Sequence, residues 1–214
     1  MNLLIACDSS YYSTWAINCI NSVKKFTPWL DITVIVVNPN NLKEISNVRY
    51  VYDYIDFTNE DSKVAYYQAV RFTKCADLFP NNELVMSIDC DTILTKSFTQ
   101  NEFLNVCKSI HVQRHQKADR WMAGLVTYGS TNDFRLEFKN QLLSKPVETW
   151  EYGWDQKILN MLSTKYNYTR LEVGNWMSFG KGNGTFLTLK GDQKTSPKHL
   201  NSYKTKLGDL YDQA

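Results

Sequence analysis

Two acids, Asp89 and Asp91, sit two residues apart directly behind the apolar run of residues 83–88. Such a run reads as a buried strand, and the ligand crevice of an open α/β sheet lies outside the carboxyl ends of its strands. Both carboxylates can therefore turn into one crevice. Close carboxylates repel each other unless a cation neutralises them. Hard oxygen ligands suit Mg2+ or Mn2+, ions that complete their shells with phosphate oxygens and act as Lewis acids on a leaving phosphate. The expected chemistry is metal-assisted departure of a phosphorylated group.

The elements needed to position these acids are readable upstream. Residues 3–7 form an apolar strand, and residues 13–25 a helix with Trp15, Ile17, Cys19, Ile20 and Val23 on its apolar face. Residues 31–37 are an almost unbroken β-branched run ended by Asn38-Pro39, which predicts a parallel strand covered on both faces. Residues 48–57 read as extended. Residues 62–79 read as a helix closed by a turn at Pro80-Asn81-Asn82. The resulting β-α-β-β-α-β order predicts an open α/β sheet. Farther on, residues 106–113, 122–128, 168–173, 175–179 and 185–189 read as strands, and residues 134–143 and 155–163 as helices. The Gly-rich run 180–184 reads as a hairpin turn, and a polar tail rich in lysine follows from Gly191.

Composition narrows the classes. The 24 Lys plus Arg nearly balance 22 Asp plus Glu, so there is no strong nucleic-acid signal. Aromatic residues at 14% argue against a disordered or fibrous chain. The longest apolar run is far short of a membrane span, and the first residues lack the basic flank of a secretory signal. The expectation is a cytoplasmic enzyme, bacterial or viral, acting in the host cytoplasm if viral. Cys7, Cys19, Cys75, Cys90 and Cys107 have no zinc or redox spacing and are expected to be buried free thiols. His111 and His115 have helical metal-pair spacing but lie in a strand-like stretch. The sequons at Asn167 and Asn183 read as chance matches.

The stretch 70–94, in which Arg71 precedes the strand ending Ile88-Asp89-Cys90-Asp91, resembles the GT-A glycosyltransferases, most of all family 8 and its glycogenin-like members. Three further stretches are similar and fall in the same order: Ala6-Cys7-Asp8-Ser9-Ser10-Tyr11-Tyr12, Met122-Ala123-Gly124-Leu125-Val126 and Trp154-Asp155-Gln156-Lys157-Ile158-Leu159-Asn160. The likeness covers about residues 3–160. It implies an α/β fold with a mixed central sheet, in one GT-A domain over 1–214. Residues up to about 95 would form the nucleotide-binding half, and residues from about 96 onward the sugar and acceptor half.

The resemblance assigns roles by position. Asp89 would contact ribose and metal, and Asp91 the metal directly, with Cys90 between them. Arg71 would reach the nucleotide phosphates. Ala6, Cys7 and Asp8 would border the nucleobase, with Tyr11 or Tyr12 as the stacking ring. Ala123 and Gly124 would lie beside the donor sugar, and Asp155 and Gln156 near its reacting carbon. The family's late His-x-Gly-x-x-Lys segment is matched only loosely, at 199–206, where His199 would be a third metal ligand and Lys204 a phosphate lysine. Lys157 and Met122 depart from the family pattern. The implied activity is transfer of a sugar from a nucleotide-diphosphate donor, a UDP-sugar by expectation, with Mn2+ or Mg2+ and retention of configuration. The acceptor could be a glycan, lipid, protein or modified base. A nucleotidyl or phosphoryl transferase and a non-catalytic nucleotide-sugar binder are the alternatives.

Overall fold

The computed structural model describes residues 1–80, 82–115, 120–171, 176–179 and 182–209. Strand β1 (Asn2–Asp8) carries five consecutive buried residues, Leu3 to Cys7, because both of its faces are covered. Asp8 ends the strand, and its Oδ1 accepts from the Tyr11 amide at 2.7 Å, capping helix α1 (Ser9–Tyr11). A π-helical turn (Tyr12–Ala16) leads into α2 (Ile17–Phe26). The helix expected from residue 13 thus starts earlier, at this cap. Strands β2 (Asp31–Val37) and β3 (Arg49–Asp53) follow, and then α3 (Glu60–Leu78), capped by Asn59.

Strand β4 (Val85–Ile88) runs into Asp89, and β5 (Thr92–Leu94) begins just after Asp91. Residues 106–107, read from sequence as the start of a strand, belong instead to α4 (Gln100–Cys107). A reciprocal cap between Thr99 and Glu102 starts that helix and so decides the conformation of the apolar residues behind it. The remaining elements are β6 (His111–Arg114), β7 (Trp121–Thr127), α5 (Asp133–Leu142), α6 (Trp154–Leu162), β8 (Thr169–Leu171), β9 (Met177–Phe179), β10 (Phe186–Thr188) and α7 (Pro197–Leu207).

Seven strands form a mixed sheet in the order β3-β2-β1-β4-β7-β6-β8. The first four are mutually parallel, and β7 runs antiparallel to both β4 and β6. Alternation along β1 sends Leu3, Ile5 and Cys7 to the core under α2 and α4, and Leu4 and Ala6 to the core under α3, α5 and α6. The crossover from β1 leads outward to β2, whereas the crossover through α3 returns to β4 on the other side of β1. The carboxyl ends of β1 and β4 therefore flank a switch point, where open sheets leave a crevice.

A second sheet, β5-β10-β9, packs with α7 through Ile93, Leu187, Leu189, Tyr203 and Leu207. The region read as a polar tail thus contributes a helix to the core. The Gly-rich run does not form a hairpin turn, because β9 and β10 are parallel. Gly182 and Gly184 press against Ser178 so closely that a Cβ on Gly182 would stand 2.3 Å from the Ser178 Cβ. Gly180 and Lys181 lie outside the described residues. All five cysteines are buried and free, as expected.

The placement of α3 against β4 depends on a buried charge. Arg135 of α5 is fully buried and donates to the carbonyls of Phe79, at 2.5 Å, and Glu83, at 2.6 Å. These carbonyls flank the passage from the helix that carries Arg71 to the strand that ends at Asp89. Arg135→Met would leave the buried Phe79 carbonyl without its donor and strip the Glu83 carbonyl of its side-chain partner. Urea denaturation should then show a loss of about 2–4 kcal/mol, and an unchanged midpoint would refute this role.

Candidate active site

Two cavities meet at the switch point, one of about 620 Å³ and one of about 370 Å³. Gln68, Arg71, Asp89, Tyr152 and Lys190 line both, so Asp89 stands at their junction. The smaller cavity reaches the end of β1 at Ala6, Cys7 and Asp8, and it also includes Cys90 and Asp91. The larger is bordered by Ala123 and Gly124 of β7 and by Asp155 and Gln156 of α6.

Every oxygen of the two central carboxylates has a partner. Arg71 Nη2 donates to Asp89 Oδ1 at 2.7 Å, and the Lys190 ammonium pairs with Asp89 Oδ2. Thr188 Oγ1 donates to Asp91 Oδ1 at 2.9 Å, and Lys194 Nζ lies 2.6 Å from Asp91 Oδ2. Burial disfavours the charge on Asp89, but Lys190 and Arg71 outweigh it and hold the carboxyl well below the usual carboxylate range. Burial likewise works against the Lys190 ammonium, and Asp89 and Asp91 overcome it, keeping the lysine charged.

Arg71 is itself buried and also donates to the Ala123 carbonyl at 2.8 Å, joining α3, β4 and β7 at one guanidinium. Its Nε and the buried Gln113 Oε1 have no hydrogen-bond partner among the described residues. Gly124 stands in close approach to the carboxylate, since a Cβ there would lie 3.2 Å from Asp89 Oδ2, a contact that the ion-paired oxygen would have to yield to. On α6, Asp155 is buried and its Oδ1 accepts from the Gln156 amide at 2.7 Å. Burial pushes its carboxyl up, against the pull of Arg71. Asn160 pins α6 to β7 by accepting from the Trp121 amide at 2.7 Å and donating to the Trp121 carbonyl at 2.9 Å.

Most residues singled out from sequence come together here, and three do not. Tyr12 is only 1% exposed; its hydroxyl donates to the Lys43 carbonyl and bonds Tyr50, so it belongs to the core. Tyr11, at 42% exposure, is the tyrosine that lines the cavity, with Lys194 over its ring at 4.9 Å. Consecutive residues of a helical turn point about 100° apart, which gives the two tyrosines their different fates. His199 bonds Ser196 in the first turn of α7 and lines neither cavity; the exposed Lys204, in the last turn, lines neither either.

The segment that meets the carboxylates is instead β10 with the 3-10 turn Gly191–Lys194. Sequence reasoning missed Lys190 and Lys194. A signal was present: Gly191-Asp192-Gln193-Lys194 has the Gly-x-x-Lys spacing of the expected late segment, with Leu189 where its histidine would stand. This donor set fits a resident divalent cation poorly. The four carboxylate oxygens already hold hydrogen-bond donors. Among the described residues, no three His, Cys, Asp or Glu side chains converge as a metal site.

Asp89→Asn would leave Arg71 and Lys190 without their shared counter-charge and should lower stability at pH 7 by about 3 kcal/mol. The folded carboxyl lies below its unfolded value of about 3.9, so this contribution is full above that pH and drains away as pH falls through the folded value. Urea denaturation should therefore show a wide gap between wild type and variant at pH 7 and a narrower one at pH 3. An equal gap at both would contradict the ion-pair account.

No protein-family model and no curated protein sequence matches the chain. Solved structures do. The galactosyltransferase LgtC, in complex with donor and acceptor sugar analogues, aligns over 100% of this chain and 96% of its own, with a TM-score of 0.68 at 12% identity. The bifunctional glycosyltransferase WbbM aligns over 100% of this chain and 51% of its own, with a TM-score of 0.67 at 13% identity. The glycosyltransferase GlyE of Streptococcus pneumoniae TIGR4 aligns over 99% and 61%, with a TM-score of 0.65 at 15% identity. This chain thus spans nearly all of the first and only part of the other two. At such identities the likeness is one of architecture, and it agrees with the seven-stranded mixed sheet. The chain has the fold of the GT-A glycosyltransferases.

Proposed function

We propose that this protein is a glycosyltransferase that moves a sugar from a nucleoside-diphosphate donor, a UDP-sugar, to an acceptor hydroxyl. The observation that carries the reading is the pair of cavities meeting at Asp89, with Arg71, Lys190 and Lys194 gathered around the two carboxylates. A nucleoside suits the smaller cavity, beside Tyr11 and the end of β1. The sugar suits the larger, between Gly124 and the start of α6. The diphosphate then crosses the junction, where the cations stand.

In this reading the acceptor oxygen attacks the anomeric carbon while the bond from that carbon to the diphosphate oxygen breaks, its electron pair leaving with the diphosphate. The cations stabilise the charge growing on that leaving group, which is where electrostatic catalysis is most effective. Gly124 lets the sugar approach the β7 backbone, and Gln156 faces the reacting carbon. The proposed course is retaining, with the acceptor proton passing to the departing phosphate oxygen. Asp155, whose carboxyl burial makes more basic, is the group that would take the proton in an inverting course. The product anomer, read by NMR, decides: an inverted product would replace the retaining course with the Asp155 one.

Thermal melting with UDP-, GDP- and CDP-sugars tests the donor. At about 100 times its Kd the right donor should raise Tm by about 5–10 °C. The Gly124→Ala methyl would intrude on Asp89 Oδ2 and should shrink that rise by at least half. If no nucleotide sugar moved the transition, the reading would be wrong.

A further inference from the structure

We propose that Lys190, seconded by Lys194, takes the place that a divalent cation would hold between the carboxylates and the donor diphosphate, so that this site binds its donor without metal. The inference rests on the reading of the site as one for a nucleoside-diphosphate sugar. It begins with the oxygens. A hard dication draws its protein ligands from carboxylate oxygens at close range, yet here all four are occupied: Asp89 by Arg71 and Lys190, Asp91 by Thr188 and Lys194. A dication drawn to these oxygens would have to displace the ammonium groups or crowd in beside them. They would then stand beside it as like charges, tethered to the same short turn (Gly191–Lys194) and strand end.

The lysines can, in contrast, serve the carboxylates and a phosphate together. An ammonium carries three donor hydrogens in rotatable directions. With one committed to Asp89, Lys190 keeps others for the junction of the cavities, both of which it lines, and its side chain remains 39% exposed. Lys194 lines the smaller cavity and is steadied from behind by the Tyr11 and Trp15 rings, at 4.9 and 5.7 Å. The charges agree. Arg71, Lys190 and Lys194 outnumber Asp89 and Asp91, so these five groups present net positive charge to an incoming diphosphate before any metal enters. Asp89 and Asp91 then act as positioning residues that aim the lysines rather than as metal ligands.

The test is calorimetric titration of the full chain with UDP, GDP and CDP, in EDTA and in Mn2+. One nucleotide should bind the wild type in EDTA with a Kd within threefold of that in Mn2+, and Mn2+ alone should give no binding heat. Lys190→Met should weaken that binding at least tenfold in EDTA and recover most of it in Mn2+, because Asp89 Oδ2 is then free for the ion. A purely structural role for Lys190 would weaken both titrations equally and would overturn the proposal. So would a wild type that binds tenfold or more tightly in Mn2+ than in EDTA, a result that needs no variant and leaves the donor reading standing. Failure of every nucleotide in both buffers would overturn the donor reading and this inference together.

Discussion

Asp89 is a carboxylate largely withdrawn from water, 20% exposed at the junction of the two cavities, and its charge is held there by the counter-charges the fold brings to it. Arg71 comes from α3, eighteen residues earlier, and Lys190 from beyond β10, more than a hundred residues later. Neither is a sequence neighbour. The cost of desolvating the carboxylate thus ties α3, β4 and the end of β10 to one point, and Arg71 adds β7 through the Ala123 carbonyl. The mixed sheet and the smaller β5-β10-β9 sheet meet across these ion pairs.

The shape of the site follows from the same constraint. Because the crossover from β1 leads to β2 on one side and the crossover through α3 returns to β4 on the other, a crevice opens beyond the ends of β1 and β4, at Asp8 and Asp89. The cluster around Asp89 divides that crevice into a smaller and a larger cavity. Gly124 keeps the division tight, since a Cβ there would crowd Asp89 Oδ2. Asn160 holds α6 to the start of β7, and Asp155 and Gln156 are thereby presented to the larger cavity. The helix that seemed a polar tail buries Tyr203 and Leu207 against β5 and β10, backing the small sheet from which Thr188 reaches Asp91.

Much of this was legible in the residues, for identifiable reasons. The unbroken apolar runs of β1 and β2 announce a two-sided parallel sheet, and the acids at the end of β4 announce its crevice. Where reading failed, a local interaction had outweighed a composition signal. Val106 and Cys107 look like strand residues, but the Thr99–Glu102 cap had already started a helix. The glycines before β10 look like a hairpin, but their lack of side chains serves close packing on Ser178 between parallel strands. Tyr11 and Tyr12 are indistinguishable by type, and only their placement on the helical turn after β1 sends one to the cavity and the other to the core.

The sequence by itself determined the α/β class, the order of its first six elements and the identity of the acids and of the arginine at its crevice. These depend on periodicity and on neighbours a few residues apart, which a linear reading captures. Tertiary structure alone decided what neutralises those acids. Ion pairing depends on distance in space: the Gly-x-x-Lys spacing marks Lys194, but nothing in the chain order places Lys190 on Asp89 or says which acid Lys194 meets. A histidine five residues past the true contact segment drew attention by its type, whereas the return of β10 alongside β5 chose lysines instead.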